Sequence, residues 1–391
     1  MRREWEEVTL GDLMTFKNGL NFTQDSNGKE YNFLGVGCFK SKNVIKNDSE
    51  LETVHILNPI DKDYLLKKDD LVFVRSNGSK ELVGRCVLIE NDISNATYSG
   101  FCIKGTLRSG ATTSKYILKN IEAGFLKEKL KHENRGTNIS NLNQEILNSL
   151  EIKLPSLNEQ DKIIETLNAW DSAIEKTEKL IEKKEALFNC YAKKILISGK
   201  TLKVLFSDLF KLSSEKNTLN QSYPALSVTK DGVVFQEEYF NKRVASEDTS
   251  SYLIARRNTF VFSGLNFWMG SVDLQTLTDI GIISPAYKVF TINTDLISYE
   301  YAHFLIRSNY MKRLLMDSSI VGASIVRRNL DMDNLLNSVI ELPLLEQQAK
   351  IVEQLSLIQK DIELNKKLLE QYKLQKQGLM QKLLTGEWRI K

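Results

Sequence analysis

Two stretches of the chain carry apolar residues in alternating steps of four and three. The first sets Ile163, Leu167, Trp170, Ile174, Thr177, Ile181, Lys184, Phe188, Tyr191 and Ile195 on one stripe. The second sets Ile351, Leu355, Ile358, Ile362, Asn365, Leu369, Tyr372, Lys376, Leu379 and Leu383 on another. That spacing is a heptad seam and predicts a long helix in each stretch. Neither helix holds an internal proline, Pro155 and Pro343 stand just before the starts, and Gly199 and Gly386 suit the stops. Ser156 with Glu159 fits a capping box on the first helix, whereas Leu344 leaves the second a weaker cap. About forty residues at 1.5 Å each give roughly 60 Å per helix. One seam buries one partner, and the obvious partner is the other copy.

The two openings align, with Leu, Pro, Leu and Gln identical in four of seven positions. Leu154-Pro155-Ser156-Leu157-Asn158-Glu159-Gln160 recurs as Leu342-Pro343-Leu344-Leu345-Glu346-Gln347-Gln348, an offset of 188 (342 − 154). The regions ahead of the helices repeat more faintly. Tyr64-Leu65 meets Tyr252-Leu253, the run from Asp70 to Val74 meets Asn258 to Phe262, and Asn141-Leu142 meets Asn329-Leu330, all at 188. Tyr31, Leu34 and Val36 match Tyr223, Leu226 and Val228 at 192, so loops of different length intervene. Short β-like runs (Leu71 to Val74, Arg85 to Ile89, Thr259 to Phe262, Tyr287 to Ile292) mix with helical stretches (Tyr116 to Leu130, Tyr299 to Leu315). They predict two α/β globules.

The order globule, helix, globule, helix constrains the arrangement. Helix one separates the globules, and helix two must run back along it to bury its seam. The expected class is α+β, with two α/β domains separated by two long antiparallel coiled-coil helices in a pseudo-twofold internal repeat. The boundaries are 1–153 and 201–341 for the globules and 154–200 and 342–391 for the helices.

Charge narrows the function. The net charge is only +3 over 391 residues. Lys and Arg against Asp and Glu number 22 to 21 in residues 1–153, 8 to 8 in 154–200, 14 to 15 in 201–341 and 9 to 6 in 342–391. A self-sufficient nucleic-acid binder is far more basic, so any DNA contact uses local patches or shares phosphates with a partner. No run of ~18 apolar residues predicts a membrane span. The charged opening leads into no apolar segment, unlike a secretory signal. Cys38, Cys86, Cys102 and Cys190 form no C-x-x-C pair and read as reduced thiols of a cytoplasmic protein.

The Leu-Pro-x-Leu-x-Glu-Gln-type opening, the long heptad helix and the close Leu383-Leu384-Thr385-Gly386-Glu387 resemble type I restriction–modification specificity subunits. Glu6-Glu7-Val8-Thr9-Leu10-Gly11-Asp12-Leu13 is similar to the opening of that family. The resemblance spans the chain, strongly in the helices and weakly in the globules. It implies that each globule is a target recognition domain reading one half of a bipartite duplex DNA target. The helices then set the spacer and dock two modification (methyltransferase) subunits, joined by restriction (translocase/nuclease) subunits. S-adenosylmethionine belongs to the modification subunits, ATP and Mg to the restriction subunits, and no cofactor, metal or catalytic residue to this chain.

The residues agree with that division. Adenine-methyltransferase Asn/Asp-Pro-Pro-Tyr segments, phosphate loops and dinucleotide fingerprints are missing from the sequence. His55, His132 and His303 are scattered, without metal spacing. Asp69-Asp70 reads as a solvated turn.

Candidate DNA-facing loops follow strand-like runs. Arg75, Ser76, Asn77, Ser79 and Lys80 follow Leu71 to Val74; Arg suits guanine and Asn adenine. The matching loop carries Ser263, Asn266 and Trp268 and no basic residue. A second pair precedes the helices: Arg135, Thr137 and Asn138 in one copy, Ser324, Arg327 and Arg328 in the other. Lys104 with Arg108 is a further basic spot. A non-enzymatic coiled-coil adaptor is the alternative; it accounts for the helices but not for two globules with matching polar loops.

Overall fold

The computed structural model describes residues 5–39, 43–79, 81–108, 110–133, 141–241, 245–321 and 328–390. The chain divides into two compact units, Met1–Thr177 with Leu368–Lys391 and Glu178–Lys367. Each contains one globule and half of each long helix.

In the first unit a five-stranded sheet runs in the order Met14–Asn18, Cys102–Leu107, Leu71–Val74, Cys86–Ile89, Val44–Ile45. All neighbours are antiparallel except the last pair. The second unit repeats the order with one strand fewer: Phe210–Ser213, Tyr287–Ile292, Phe260–Ser263, Val272–Leu274. Its pairs are all antiparallel. A second sheet accompanies each. In the first unit Gln24–Leu34 pairs antiparallel with Glu52–Ile56 and parallel with Ala96–Tyr98. In the second, Ala225–Thr229 pairs antiparallel with Gly232–Phe235 and parallel with Ile280–Ile283, and Leu253–Arg256 adds an edge.

The central strands explain why the sequence shows unbroken apolar runs there. Leu71–Val74 is buried on both faces, as is Phe260–Ser263. Leu71 and Phe73 enter a core shared with the helices, while Val72 and Val74 enter one under the second sheet. Phe260 and Phe262 repeat the first placement, and Val261 the second, so this strand corresponds at an offset of 189 (260 − 71), one residue from the 188 expected from sequence. A strand covered on two sides reads as a continuous run rather than an alternation.

Each helical stretch is two helices. Ser114–Glu122 and Phe125–Glu133 part at Gly124, whose φ of +97° breaks the run. Tyr299–Ile306 and Asn309–Asp317 part at Ser308, which caps the second of them.

The long helices run Leu157–Ile195 and Leu345–Leu384. Every residue of both seams is buried or half-buried. In the first unit the two halves run antiparallel: Trp170 meets Tyr372 edge-on at 5.7 Å, and Glu159 takes Arg389 in two bonds of 2.6 and 2.8 Å. In the second, Lys184 meets Asp361 at 2.5 Å and Tyr191 donates to Gln354 at 2.7 Å, again with one number falling as the other rises.

The repeated opening has a structural cause. Gln160 is fully buried; its Nε2 donates to the carbonyls of Ala111 (3.1 Å) and Pro155 (3.0 Å), and its Oε1 accepts from Thr112 (2.9 Å). Gln348 does the same in the second unit, donating to Leu296 (2.8 Å) and Pro343 (2.9 Å) and accepting from the Ser298 amide (3.0 Å). One side-chain amide thus clasps the start of each helix to its globule. A short two-stranded ladder completes the joint: Glu6–Thr9 with Glu151–Leu154, and Thr201–Leu205 with Val339–Pro343.

Candidate nucleic-acid interface

In the first unit the loop after the central strand is held at its root. The Arg75 amide donates to the Phe101 carbonyl at 2.8 Å, and the Arg75 carbonyl accepts from the Leu142 amide at 2.9 Å. Arg75 therefore has a fixed backbone and an exposed side chain. Asn77 Oδ1 accepts from the Ser79 amide at 3.2 Å, an Asx turn that presents Ser76 to Ser79 outward. The Leu142 bond joins Asn141-Leu142, the described end of the second segment, to the root of this loop. Lys80, Arg135, Thr137 and Asn138 lie outside the described residues.

The second unit uses the same position differently. The Gly264 amide donates to the Ala286 carbonyl at 3.1 Å, matching the Arg75–Phe101 bond. Ser263 is not a surface contact: it is 7% exposed, and its Oγ accepts from the Asn266 amide at 3.1 Å to brace the loop. Asn266 is exposed, flanked by exposed Leu265 and Met269. Trp268 is half-buried against the core, with its indole nitrogen enclosed. The turn Phe267–Met269 packs on helix Asn309–Asp317. That helix leads into the hairpin Ser319–Val321 with Arg328–Leu330. Arg328 is half-buried, donating to Ser319 Oγ at 3.3 Å. Ser324 and Arg327 lie outside the described residues.

Lys104 and Arg108 do not form a shared exposed basic spot. Lys104 is only 7% exposed, and its ammonium donates to the carbonyls of Asp63 and Leu65, both at 2.9 Å, with Asp70 3.9 Å away. Burial pushes its pKa down and that of Asp70 up. Lys104 is a structural cation. Asp70 is correspondingly no solvated turn residue: it is 1% exposed and accepts from Thr106 at 2.6 Å and the Lys67 amide at 2.8 Å. Only Asp69, at φ +68°, is a turn residue of the expected kind. Arg108 is exposed and lies at the other end of the strand from the loop. Cys102 pairs with Val74, where the loop departs, whereas the Arg108 amide bonds Leu13 at the far end of the strand.

The sequence reading passed over the exposed apolar residues at these loop tips: Phe101 beside Arg75, and Leu265 and Met269 beside Asn266. Their only signal was an apolar side chain placed just beyond a strand end. Among the described residues, no cluster of His, Cys, Asp and Glu could hold a metal ion. No described helix is long and apolar enough to cross a membrane.

Comparison with known proteins places this architecture. The family profile described as type I restriction modification DNA specificity domain matches residues 2–185 and again 204–374. The chain is 22% identical over 423 residues to the type I restriction enzyme MjaVIII specificity subunit of Methanocaldococcus jannaschii, covering 99% of this chain and 94% of that one. It is 31% identical over 183 residues to the StySPI specificity subunit of Salmonella potsdam, covering 44% of this chain and 38% of the relative. In fold it is similar to a chain solved in work on complex assembly and conformational transition of the type I R-M system (TM-score 0.65, 15% identity, 99% of both chains). It is also similar to the HsdS subunit of Thermoanaerobacter tengcongensis (TM-score 0.52, 16% identity, 99% of this chain and 98% of that one). With both globules and both helices matched, the chain belongs to the family of type I restriction–modification DNA specificity proteins.

Proposed function

We propose that this chain is the sequence-reading subunit of a type I restriction–modification complex, each globule contacting one half of a split duplex target. The carrying observation is the duplicated junction: in each copy a loop after the buried central strand is braced by the strand beside it, at 2.8 Å through Arg75 and at 3.1 Å through Gly264. Arg75, Ser76, Asn77 and Ser79 supply polar groups in one copy, and Asn266 in the other. The mixed composition favours base-edge contacts over phosphate contacts, since the second loop has no cation. Lys80 follows the first of these loops in sequence, and Arg135, Thr137, Asn138, Ser324 and Arg327 of the segments before the long helices are further candidates for DNA contact.

Partners supply the remainder. The near-neutral charge favours sharing phosphate contacts with modification subunits. Leu180, Leu187, Leu357 and Leu364 in the second unit are 43–64% exposed, and each immediately precedes a seam residue. Such a stripe on the outer flank of a helix pair suits docking of another protein. In this reading the chain is non-catalytic and cytoplasmic. S-adenosylmethionine stays with the modification subunits, and ATP and Mg with the restriction subunits.

The test is reconstitution with the neighbouring methyltransferase, followed by single-molecule methylome sequencing. A bipartite motif is expected, and exchange of residues 1–150 for those of another family member should alter one half only. A continuous motif would overturn the split target and the ruler role of the helices, and no directed methylation would exclude the reading in favour of a coiled-coil adaptor.

A further inference from the structure

The two copies close the joint between globule and long helix with different chemistry. Helices Ser114–Glu122 and Tyr299–Ile306 are equivalent: Thr113 and Ser298 cap them by accepting from the amides of Tyr116 and Tyr301, both at 3.2 Å, and both tyrosines are fully buried. On that alignment Lys119 corresponds to Phe304 and Glu122 to Arg307. The 188-residue repeat sets Asp171 against Gln359 and Lys376 against Phe188. In the first unit these positions form a packed ion cluster. Lys119 lies 2.7 Å from Asp171 and 3.0 Å from Glu122, and Lys376 holds the other Asp171 oxygen.

In the second unit the same four positions line a cavity of about 610 Å³. Phe188 and Phe304, with rings 6.3 Å apart, and buried Ile362 make it apolar. Lys193, Arg307 and Arg313 line it with exposed cations. Arg307 is engaged, 3.7 Å from Asp273 and donating to the Asp231 carbonyl. Glu185, which also lines the cavity, is neutralised by Lys366 at 2.6 Å. Among the described residues Lys193 and Arg313 have no ion-pair partner. An apolar bed with two uncompensated cations is complementary to an apolar, acidic segment.

We propose that this groove docks a short segment of one modification subunit. A large apolar side chain would enter beside Phe188 and Phe304, with Asp or Glu meeting Lys193 and Arg313. The first unit cannot accept the same segment, because Lys119, Asp171 and Lys376 fill the equivalent space. The two modification subunits are therefore held unequally, and the one at the second unit has the additional anchor. This rests on the reading of the chain as a specificity subunit.

The experiment titrates the full chain with its neighbouring modification subunit and counts bound copies by native mass spectrometry. Wild type should bind two. Lys193→Glu with Arg313→Glu, both at exposed positions, should bind one tightly and the other at least tenfold more weakly. Lys193→Arg with Arg313→Lys should keep two. Unchanged binding of both copies by the charge-reversed variant overturns the groove, and equal weakening of both overturns the asymmetry. Weaker DNA binding at unchanged stoichiometry reassigns the cations to DNA and overturns it as well. A wild-type chain that binds no modification subunit removes the underlying reading too, a failure distinct from the others.

Discussion

Gln160 and Gln348 show what a repeated motif can mean at the level of one side chain. Each amide makes two donor bonds and one acceptor bond in a site closed to water. Replacing either with Leu leaves two carbonyls without a donor and one donor without an acceptor, about 1–3 kcal/mol for each group left unsatisfied. Gln160→Leu and Gln348→Leu should therefore lower stability by similar amounts in urea denaturation, and a cost confined to one would contradict the equivalence. Lys104 and Arg75 make the opposite comparison, because both are basic and only one is exposed. Lys104→Met removes a buried cation facing Asp70, a loss on the order of 3–5 kcal/mol, and should leave the DNA affinity of the folded fraction unchanged. Arg75→Ala should leave the melting temperature nearly unchanged and weaken specific DNA binding by about 1–3 kcal/mol, at one position of one half-site. Fluorescence-detected melting and a binding titration on the same preparations separate the two. The misplacement of Lys104 has a plain cause. Alternation along Cys102–Leu107 sets Ile103 inward and Lys104 outward, and sequence does not reveal that a second sheet covers the outward face.

At the scale of elements the long helices were the most legible part of the chain, because a 3.5-residue period over forty residues has few other solutions. All twenty seam positions, Lys184, Asn365 and Lys376 included, are buried or half-buried. The short helices were blurred, since Tyr116 to Leu130 keeps its apolar content across the break at Gly124. The loop after Val74 was legible as a loop, but its contact with Leu142 was not. The Leu142–Arg75 bond joins segments nearly seventy residues apart, and that proximity is set by the sheet. The seam also contains an ionic element whose behaviour can be derived. Burial alone would raise the Asp171 pKa, but hydrogen bonds from Lys119 and Lys376 and their charges outweigh it, so the carboxyl is held below its ordinary value. A carboxyl depressed in the folded state stabilises above its unfolded value, near 3.9, and that contribution is lost as pH falls through the folded value. Asp171→Asn should thus be less stable than wild type at neutral pH, with the gap closing as the solution is acidified below about 4. Thermal melts across pH 3–7 would show it, and a gap independent of pH would mean that Asp171 acts through packing alone.

For the whole molecule, the proposed function makes the helix pair a determinant of spacer length. The prediction concerns matched insertions of one heptad between Thr177 and Glu178 and between Lys367 and Leu368. Seven residues add about 10.5 Å of helix, the rise of roughly three base pairs. A heptad keeps both seams facing each other with a drift of only ~20°, so the pair should still fold. An insertion of four would rotate Ile181 and Leu369 away from their partners and destabilise it. Distance is only part of the match, because each added base pair also turns the second half-site by roughly 35° about the duplex. The protein gains length with little rotation, and the DNA must absorb the difference by twisting. The spacer should therefore lengthen by one to three base pairs, at reduced affinity, while both half-site sequences stay as they were. Methylome sequencing of cells carrying the lengthened chain reads all three quantities. A changed half-site would mean that the helices shape the reading loops, and an unchanged spacer at full affinity would mean that the modification subunits, not the helices, fix the distance.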